Sequence, residues 1–205
     1  SPVIRVVLGN RDDRQTEGGI MARIEDTAKV CRACRSQALD AGIKIAVENH
    51  AGDMQAGEVV TLIEEAGGSD YMAANLDAGN ASWTLEDPLE NLEIMGPYAA
   101  TTSLRDSAIW VSENGTTVQW TAMGKGHVDW VAYFKRFKEI CPGVPVHIET
   151  ISGFNREIPF LDDGFMDMFQ DMKATTLARY LKWARQGKAR DPWKAPVGPN
   201  ADRAD

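Results

Sequence analysis

The sequence is poor in cysteine and histidine, with three of each among 205 residues, and it has no long apolar run. Three cysteines are too few, and odd in number, for a disulfide scaffold, so a reducing compartment and a cytoplasmic location are predicted. No segment approaches the roughly 20 apolar residues that span a bilayer, which argues against a membrane protein. Because the chain begins with Ser1 rather than Met, removal of an upstream export signal stays open, and with it a periplasmic or exported protein.

Positive charge is also scarce: 22 basic residues face 30 acidic ones, which gives a formal net charge of −8 at pH 7. This balance opposes binding to the phosphate backbone of nucleic acids, so no nucleic acid partner is expected. A hydrophobic fraction of 43% is ordinary for a globular chain of this length. One domain with one core is therefore the expectation.

Cys31 and Cys34 form a CxxC pattern. Such a pair can be a redox centre or half of a zinc site. Here it lies in a segment where Ile24, Ala28 and Cys31 recur with helical spacing, and no second Cys or His pair completes a metal set. We therefore predict small buried residues on one face of a helix.

Short β-branched runs alternate with longer helical stretches, which predicts βαβ units around a parallel sheet and hence the α/β class. Five strands are predicted, at Val3–Leu8, Ile43–Glu48, Met72–Asp77, Tyr98–Arg105 and Val144–Thr150. The predicted helices cover Ile20–Asp40, Gly57–Ala66, Leu85–Met95, Val128–Ile140 and Asp163–Gln186. Residues 1–186 form the predicted domain. Residues 187–205, rich in proline, glycine and charge, form a C-terminal tail that wraps the surface or frays.

Two segments are candidates for functional loops. The longest connection, Asp106–His127, contains two tryptophans and an ENG turn signal between a strand and its following helix, where functional loops are found. The segment SGFNREIPF follows Glu149 and is predicted either as a lid, with Phe154 and Arg156 at its tip, or as a lead into the last helix.

Acidic residues end three of the predicted strands in matching positions: Glu48, Asp77 and Glu149. The carboxyl ends of parallel strands meet at one face, so these side chains are expected to converge. Gathered carboxylates repel one another and have raised pKa values unless a cation lies between them, which predicts a divalent ion. Oxygen ligands favour Mn²⁺, Mg²⁺ or Co²⁺, and Zn²⁺ stays open. The alternative is that each acid caps a helix or pairs with an Arg or Lys.

Further residues at or near the strand ends are candidates for substrate contacts. The two loop histidines suit substrate contact or proton transfer, or else solvated surface, and the arginines suit a phosphate or carboxylate. A flat tryptophan suits the apolar face of a sugar ring, or ordinary loop packing. The predicted substrate-binding set is His50, Asn80, Arg105, Asp106, Trp110, His127 and Arg156.

On these residues the chain resembles the xylose isomerase-like TIM-barrel family of sugar phosphate isomerases and epimerases. The matching stretches, in order, are VENH at Glu48, LDAGN at Asp77, SLRD at Ser103 and HIET at Glu149, and MGKGHVDW resembles the family's G-x-G-x-x-D stretch. The resemblance implies a (β/α) TIM-type barrel. It also implies a metal held by the three acids together with substrate oxygens, and proton transfer by Glu48 and Glu149.

The chain departs from the family pattern at three positions. Ser103 stands where the family has a metal-binding His, and because a hydroxyl is a poorer ligand than imidazole, Ser103 is a doubtful fourth ligand. Asn80 stands where many members have a His, and Arg105 replaces a Lys, which keeps the charge but makes it a bidentate fork. Such a site could bind an ion with extra waters, recruit His50 or His147, or have lost tight metal binding.

The resemblance implies a divalent-metal-dependent isomerase or epimerase that acts on a small-molecule sugar or sugar phosphate through an enediolate. Two alternatives stay open: a lyase or hydratase that begins with the same proton abstraction on an oxidised sugar or glycoside, and a non-catalytic sugar-binding barrel with a degraded metal site. Family barrels have eight strands and the motifs match the later ones, so about three β/α units are expected to be missing from the front. Either the chain is truncated or a partner subunit covers the open edges, and a homo-oligomer stays open.

Overall fold

The computed structural model describes residues 2–151, 153 and 155–194. A parallel four-stranded sheet, in the order β1-β2-β3-β4, is its central element. The strands are β1 (Val3–Val6), β2 (Lys44–Glu48), β3 (Met72–Leu76) and β4 (Ala99–Thr102). This arrangement is half of a (β/α) barrel, and it confirms the predicted α/β class and partial TIM-type barrel.

Six α-helices are present in the described part of the chain: α1 (Gly19–Ala33), α2 (Arg35–Asp40), α3 (Ala56–Glu65), α4 (Pro88–Met95), α5 (Trp130–Ile140) and α6 (Ala174–Ala184). The first four connect the parallel strands, and β3 is buried along its whole length, as is usual for a parallel strand that is covered on both faces. Cys31 lies on the buried face of α1, as the helical spacing predicted. No described helix is long and apolar enough to cross a membrane.

The predicted fifth strand, Val144–Thr150, is wrong in extent. Only a single parallel bridge forms there, between Leu104 and Ile148. Pro145 has no N–H to donate to a ladder, and the N–H of His147 donates instead to the Thr102 hydroxyl at 2.8 Å. The bridge is nevertheless enough to set Glu149 beside the sheet, because the Glu149 N–H donates to the Leu104 carbonyl at 2.9 Å.

The connection predicted as a loop, Asp106–His127, contains an antiparallel hairpin. Its strands are β5 (Asp106–Ser112) and β6 (Gly115–Thr121), and β7 (Asn155–Ile158) pairs with β6 to complete a three-stranded sheet. Part of the predicted lid is thus the strand β7. Ser152 and Phe154, at the start of that segment, lie outside the described residues.

Gly115 allows the close approach of β7 to the hairpin. Its backbone φ is +152°, and a Cβ at this position would lie 2.2 Å from the Ile158 carbonyl oxygen. A residue without a side chain is therefore required where the third strand joins the sheet.

The predicted last helix, Asp163–Gln186, is too long: a 3₁₀ turn at Phe165–Phe169 precedes α6, which begins at Ala174. The buried Arg14 guanidinium donates to the Met168 carbonyl from Nε and Nη2, at 3.0 and 2.6 Å. This contact holds the 3₁₀ turn that precedes α6. The described part of the predicted tail has no helix or strand after residue 187, and residues 195–205 lie outside the description.

Candidate active site

Three carboxylates from three segments meet at the carboxyl ends of the parallel strands. Glu48 ends β2, Asp77 follows β3, and Glu149 follows the bridge at Ile148. One oxygen of each lies within 4.8 Å of the others. Glu48 and Asp77 have fully buried side chains, whereas that of Glu149 is 16% exposed. The triad therefore lies at the base of the site, with Glu149 nearest to solvent.

Amide side chains in β3 and just after β2 and β3 hold the buried acids. Asn75 and Asn80 donate to Glu48, to Oε2 at 2.8 Å and to Oε1 at 3.1 Å. Asn49 binds the backbone of Asp77 through both of its amide atoms, at 2.8 and 3.0 Å. Within the described residues, Asn80 Oδ1 is buried and has no hydrogen-bond partner. An acceptor in that state is suited to a hydroxyl group of a ligand.

Two guanidinium groups lie between the carboxylates. Arg105 contacts Asp77 Oδ2 through Nε and Glu149 Oε2 through Nη2. Arg5, in β1, contacts Glu48 Oε2 through Nε and Glu149 Oε2 through Nη2, the latter at 3.3 Å. Each arginine thus bridges two of the three acids. The alternative raised from the sequence, in which the acids pair with arginine, describes the contacts of all three.

The two arginines differ in burial. The Arg105 side chain is 1% exposed and its guanidinium lies over the Trp120 ring, 4.1 Å from the centroid. The Arg5 side chain is 38% exposed. Sequence analysis missed Arg5, although a charged residue inside the β-branched run VIRVV was a signal that one face of that strand is polar.

Burial governs the protonation of the two inner acids. It raises the pKa of Asp77 to about 7, although the neighbouring Arg105 charge acts in the opposite direction. Burial also raises the pKa of Glu48, which the hydrogen bond and charge of Arg5 partly offset. Carboxyl groups with raised pKa values are suited to general acid and base chemistry.

The donor set alone would suit a hard divalent ion, because it consists of carboxylate oxygens. The facing oxygens, however, already accept from Arg5 and Arg105, and an ion bound to them would lie against two positive charges. Ser103, at the expected position of the ligand His, donates instead to Asn75 Oδ1 at 3.3 Å. The residues present therefore do not fit a divalent ion while both arginines stay in place.

Neither histidine proposed as a substitute ligand joins the triad in the described part of the chain. His50 Nδ1 lies 3.1 Å from the Gly9 carbonyl, and the exposed His147 hydrogen bonds to the Thr101 hydroxyl. His127 Nδ1 accepts from the Ile109 N–H at 2.9 Å.

Asp106, a predicted substrate contact, is fully buried and accepts five hydrogen bonds. Its donors are four backbone N–H groups and one indole N–H, from Ser107, Gly124, Gly126, Val128 and Trp130, all within 3.2 Å. This carboxylate therefore fixes the loop between β6 and α5.

The antiparallel sheet contributes aromatic residues to the site. Trp120, in β6, packs against Trp83 with ring centroids 4.9 Å apart, and Arg156, in β7, lies 5.8 Å from the Trp83 centroid. Trp110 is buried in β5, where it pairs with Thr117. A hairpin that was expected to be an open loop thus provides the surface on which Arg105 rests.

Comparison with known proteins gives a family match and fold matches. Residues 2–163 match the family model described as xylose isomerase-like TIM barrel. Similar solved structures include a xylose isomerase domain protein from Planctomyces limnophilus (TM-score 0.57, 16% identity, 88% of this chain and 58% of that chain). A xylose isomerase-like TIM-barrel protein from Mycobacterium smegmatis in complex with magnesium also matches (TM-score 0.53, 12% identity, 88% of this chain and 62% of that chain). The IOLI protein with a binding zinc atom matches as well (TM-score 0.54, 14% identity, 89% of this chain and 64% of that chain).

The chain thus spans 58 to 64% of the length of these structures. No curated protein matches the sequence significantly. At such identities the likeness to the solved structures shows the fold.

Proposed function

Because the chain belongs to the xylose isomerase-like TIM-barrel family, we propose that it is part of a sugar isomerase or epimerase that transfers a proton through an enediolate. Glu48 and Glu149 are the proposed acid and base. The observation that carries the proposal is the convergence of these two glutamates, from different segments, with carboxylate oxygens within 4.8 Å at the strand ends. Two carboxyl groups that reach one substrate carbon can remove a proton from it and return one, as epimerisation requires.

The surrounding residues support specific roles in this reaction. One glutamate removes the proton from the carbon next to the substrate carbonyl, and the other returns it. The charge that develops on the carbonyl oxygen needs a positive or hydrogen-bonding partner. Arg5 contacts both glutamates and Arg105 contacts Glu149, so both cations are candidates. Asn80 Oδ1 is available to accept from a sugar hydroxyl.

The other predicted substrate contacts divide by location. We propose that the exposed Arg156 contacts a charged group of the substrate, such as a phosphate, beside the Trp83 ring. Asp106 and His127 have their acceptor atoms engaged by backbone N–H groups, so we propose that they position the loop and hairpin around the site. His50 and Trp110 stay predictions as substrate contacts.

The divalent ion predicted from the sequence, Mn²⁺, Mg²⁺ or Co²⁺ with Zn²⁺ as the alternative, enters none of these steps. If it were bound, it would hold the substrate oxygens and stabilise the oxyanion. To do so it would have to take the oxygens of Glu48, Asp77 and Glu149 from the arginines. Metal dependence therefore stays a prediction, and elemental analysis of the purified chain tests it.

Hydrogen exchange tests the proposed reaction directly. The chain is incubated in D₂O with a panel of ketoses and aldoses, free and phosphorylated, and deuterium at the carbon next to the carbonyl is followed by NMR. We expect exchange with a subset of sugars, reduced by about 100-fold or more in Glu48→Gln and Glu149→Gln. Glu157→Gln, on the exposed strand β7, is the matched control and should retain the exchange.

The outcomes separate the alternatives. Deuterium exchange with loss of water from the product would show the lyase or hydratase reaction, which shares the first step. Sugar binding without exchange in any member of the panel would refute the proposal in favour of a non-catalytic sugar-binding barrel.

A further inference from the structure

We infer that Arg105 is the resident cation of the acidic triad and takes the place that a divalent ion was expected to hold. The inference about charge rests on the contacts of the triad alone. Its catalytic consequence, that the Arg105 guanidinium faces the developing oxyanion, rests on the proposed function.

The geometry of the fork is the first argument. Through two different nitrogens Arg105 joins Asp77, which follows β3, to Glu149, which follows the bridge at Ile148. A guanidinium presents fixed, planar donors that match carboxylate oxygens, whereas the lysine of the family pattern would be a single point charge. The replacement of Lys by Arg therefore supplies a cation that can bind two ligand oxygens at once.

The second argument is that the fold is built to hold this side chain in place. Its charge lies over Trp120, and its backbone N–H donates to Asp77 Oδ1 at 3.3 Å. Gly79 leaves the necessary room, because a Cβ there would lie 2.5 Å from Arg105 Cγ and 2.8 Å from its carbonyl oxygen. Displacement of Arg105 would expose a cation–π contact and an ion pair that are both buried.

The third argument comes from the missing fourth ligand. Ser103 donates to Asn75, and Asn75 in turn donates to Glu48, so the serine supports the triad through the asparagine. Loss of the imidazole and gain of the guanidinium act in the same direction. The first removes a ligand that attracts an ion, and the second keeps the positive charge of the lysine but engages two of the remaining carboxylates at once.

Metal binding of the chain and its variants tests the inference. The chain is purified, treated with EDTA and analysed for metal content, and Mn²⁺ is then titrated while thermal unfolding and equilibrium dialysis are followed. We expect no stoichiometric ion in the wild-type chain, and a melting temperature that responds to neither EDTA nor Mn²⁺. Arg105→Met keeps the volume and the contact with Trp120 but removes the charge, and we expect it to bind Mn²⁺ at least about 10-fold more tightly.

Arg5→Met is the matched control, because Arg5 contacts the same triad from an exposed position. Its gain in Mn²⁺ affinity should be smaller than that of Arg105→Met. Three outcomes would each overturn the inference. They are an equal gain in Mn²⁺ affinity in both variants, a folded Arg105→Met that binds Mn²⁺ no more tightly than wild type, and a stoichiometric ion in the wild-type chain. If Arg105→Met folds only with Mn²⁺, the inference is supported.

If Arg105→Met does not fold at all, Arg105→Lys decides. This variant keeps the charge and loses the fork, so tighter Mn²⁺ binding than wild type supports the inference and unchanged binding contradicts it. None of these measurements depends on turnover. An inactive, metal-free chain would refute the proposed function alone, and an active chain that requires Mn²⁺ would refute this inference alone.

Discussion

Replacement of Asp106 by Asn should destabilise the whole chain, because this carboxylate is the anchor of the loop between β6 and α5. Oδ1 accepts from two backbone N–H groups, and Oδ2 accepts from two more and from the Trp130 indole. In Asn one of these oxygens becomes an NH₂ group, which cannot accept. Whichever way the amide is turned, at least two donors lose their partner: the two buried N–H groups at Oδ1 or the three partly buried donors at Oδ2.

The magnitude follows from the number of donors. A buried donor left unpaired costs about 1–3 kcal/mol and a partly buried one less, so the two or three lost bonds lower the free energy of unfolding by roughly 2–6 kcal/mol. This is a large part of the roughly 5–15 kcal/mol that stabilises an ordinary domain. At about 2–4 °C for each kcal/mol in a chain of this size, the melting temperature should fall by at least about 4 °C.

Urea unfolding followed by far-ultraviolet circular dichroism measures the change, with Asp129→Asn as the control. Asp129 is an exposed cap of α5 that accepts one bond, from the Ala132 N–H at 3.0 Å, and Asn caps helices about as well as Asp. The control should therefore stay close to wild type. If Asp106→Asn stayed within about 0.5 kcal/mol of wild type and only weakened sugar binding, the anchoring role would be wrong and the predicted role in substrate contact would be favoured.

Three further predictions concern glycines and a buried acid. Gly79→Ala should lower the free energy of unfolding by about 1–3 kcal/mol, because the added methyl group clashes with Arg105. The control Gly57→Ala, in open space on α3, should raise the free energy of unfolding by about 0.5–1 kcal/mol. Equal effects of the two substitutions would contradict the clash. Gly115→Ala should detach β7 and lower the melting temperature more than Gly79→Ala does. Both the positive φ of Gly115 and its close approach to a β7 carbonyl leave no room for a side chain. A smaller fall in melting temperature than that of Gly79→Ala would contradict this prediction. Burial raises the pKa of Glu86 from 4.5 to about 8, so the stability that its protonated form supplies is complete below pH 4.5 and is lost as the pH rises through 8. Glu86→Gln should reduce the fall in unfolding free energy between pH 5 and about pH 8.5 in urea titrations, and an unchanged slope would contradict the raised pKa.

The parallel sheet was predictable because its strands are short apolar runs that end on polar residues. The periodicity of Ile24, Ala28 and Cys31 gave the buried face of α1 in the same way. Boundaries failed where a tertiary contact decided them. The last helix begins only at Ala174, after a 3₁₀ turn whose Met168 carbonyl binds Arg14, far away in sequence, and no local pattern contains that contact.

The antiparallel hairpin was missed for a different reason. Its turn signal was visible as ENG, with Gly115 at the start of the return strand, but the tryptophans on either side suggested a loop at a sugar site. Pairing with β7 from a distant segment makes this a sheet, and such pairing is not contained in the hairpin's own residues. The sequence predicted the three acids of the site, but it did not predict that Arg5 and Arg105 neutralise them. Only the tertiary fold brings the two arginines to the triad.

Arg105 is also the single residue between two sheets: Leu104 forms the last bridge of the parallel sheet and Asp106 begins the first antiparallel strand. Its backbone is held on both sides by strand pairing, so the position of its guanidinium depends on the angle at which the two sheets meet. Any tilt of the hairpin would be transmitted to the carboxylates as a change in ion-pair geometry. Residues at the junction between the two sheets, although remote from the triad, can therefore change the strength of its ion pairs.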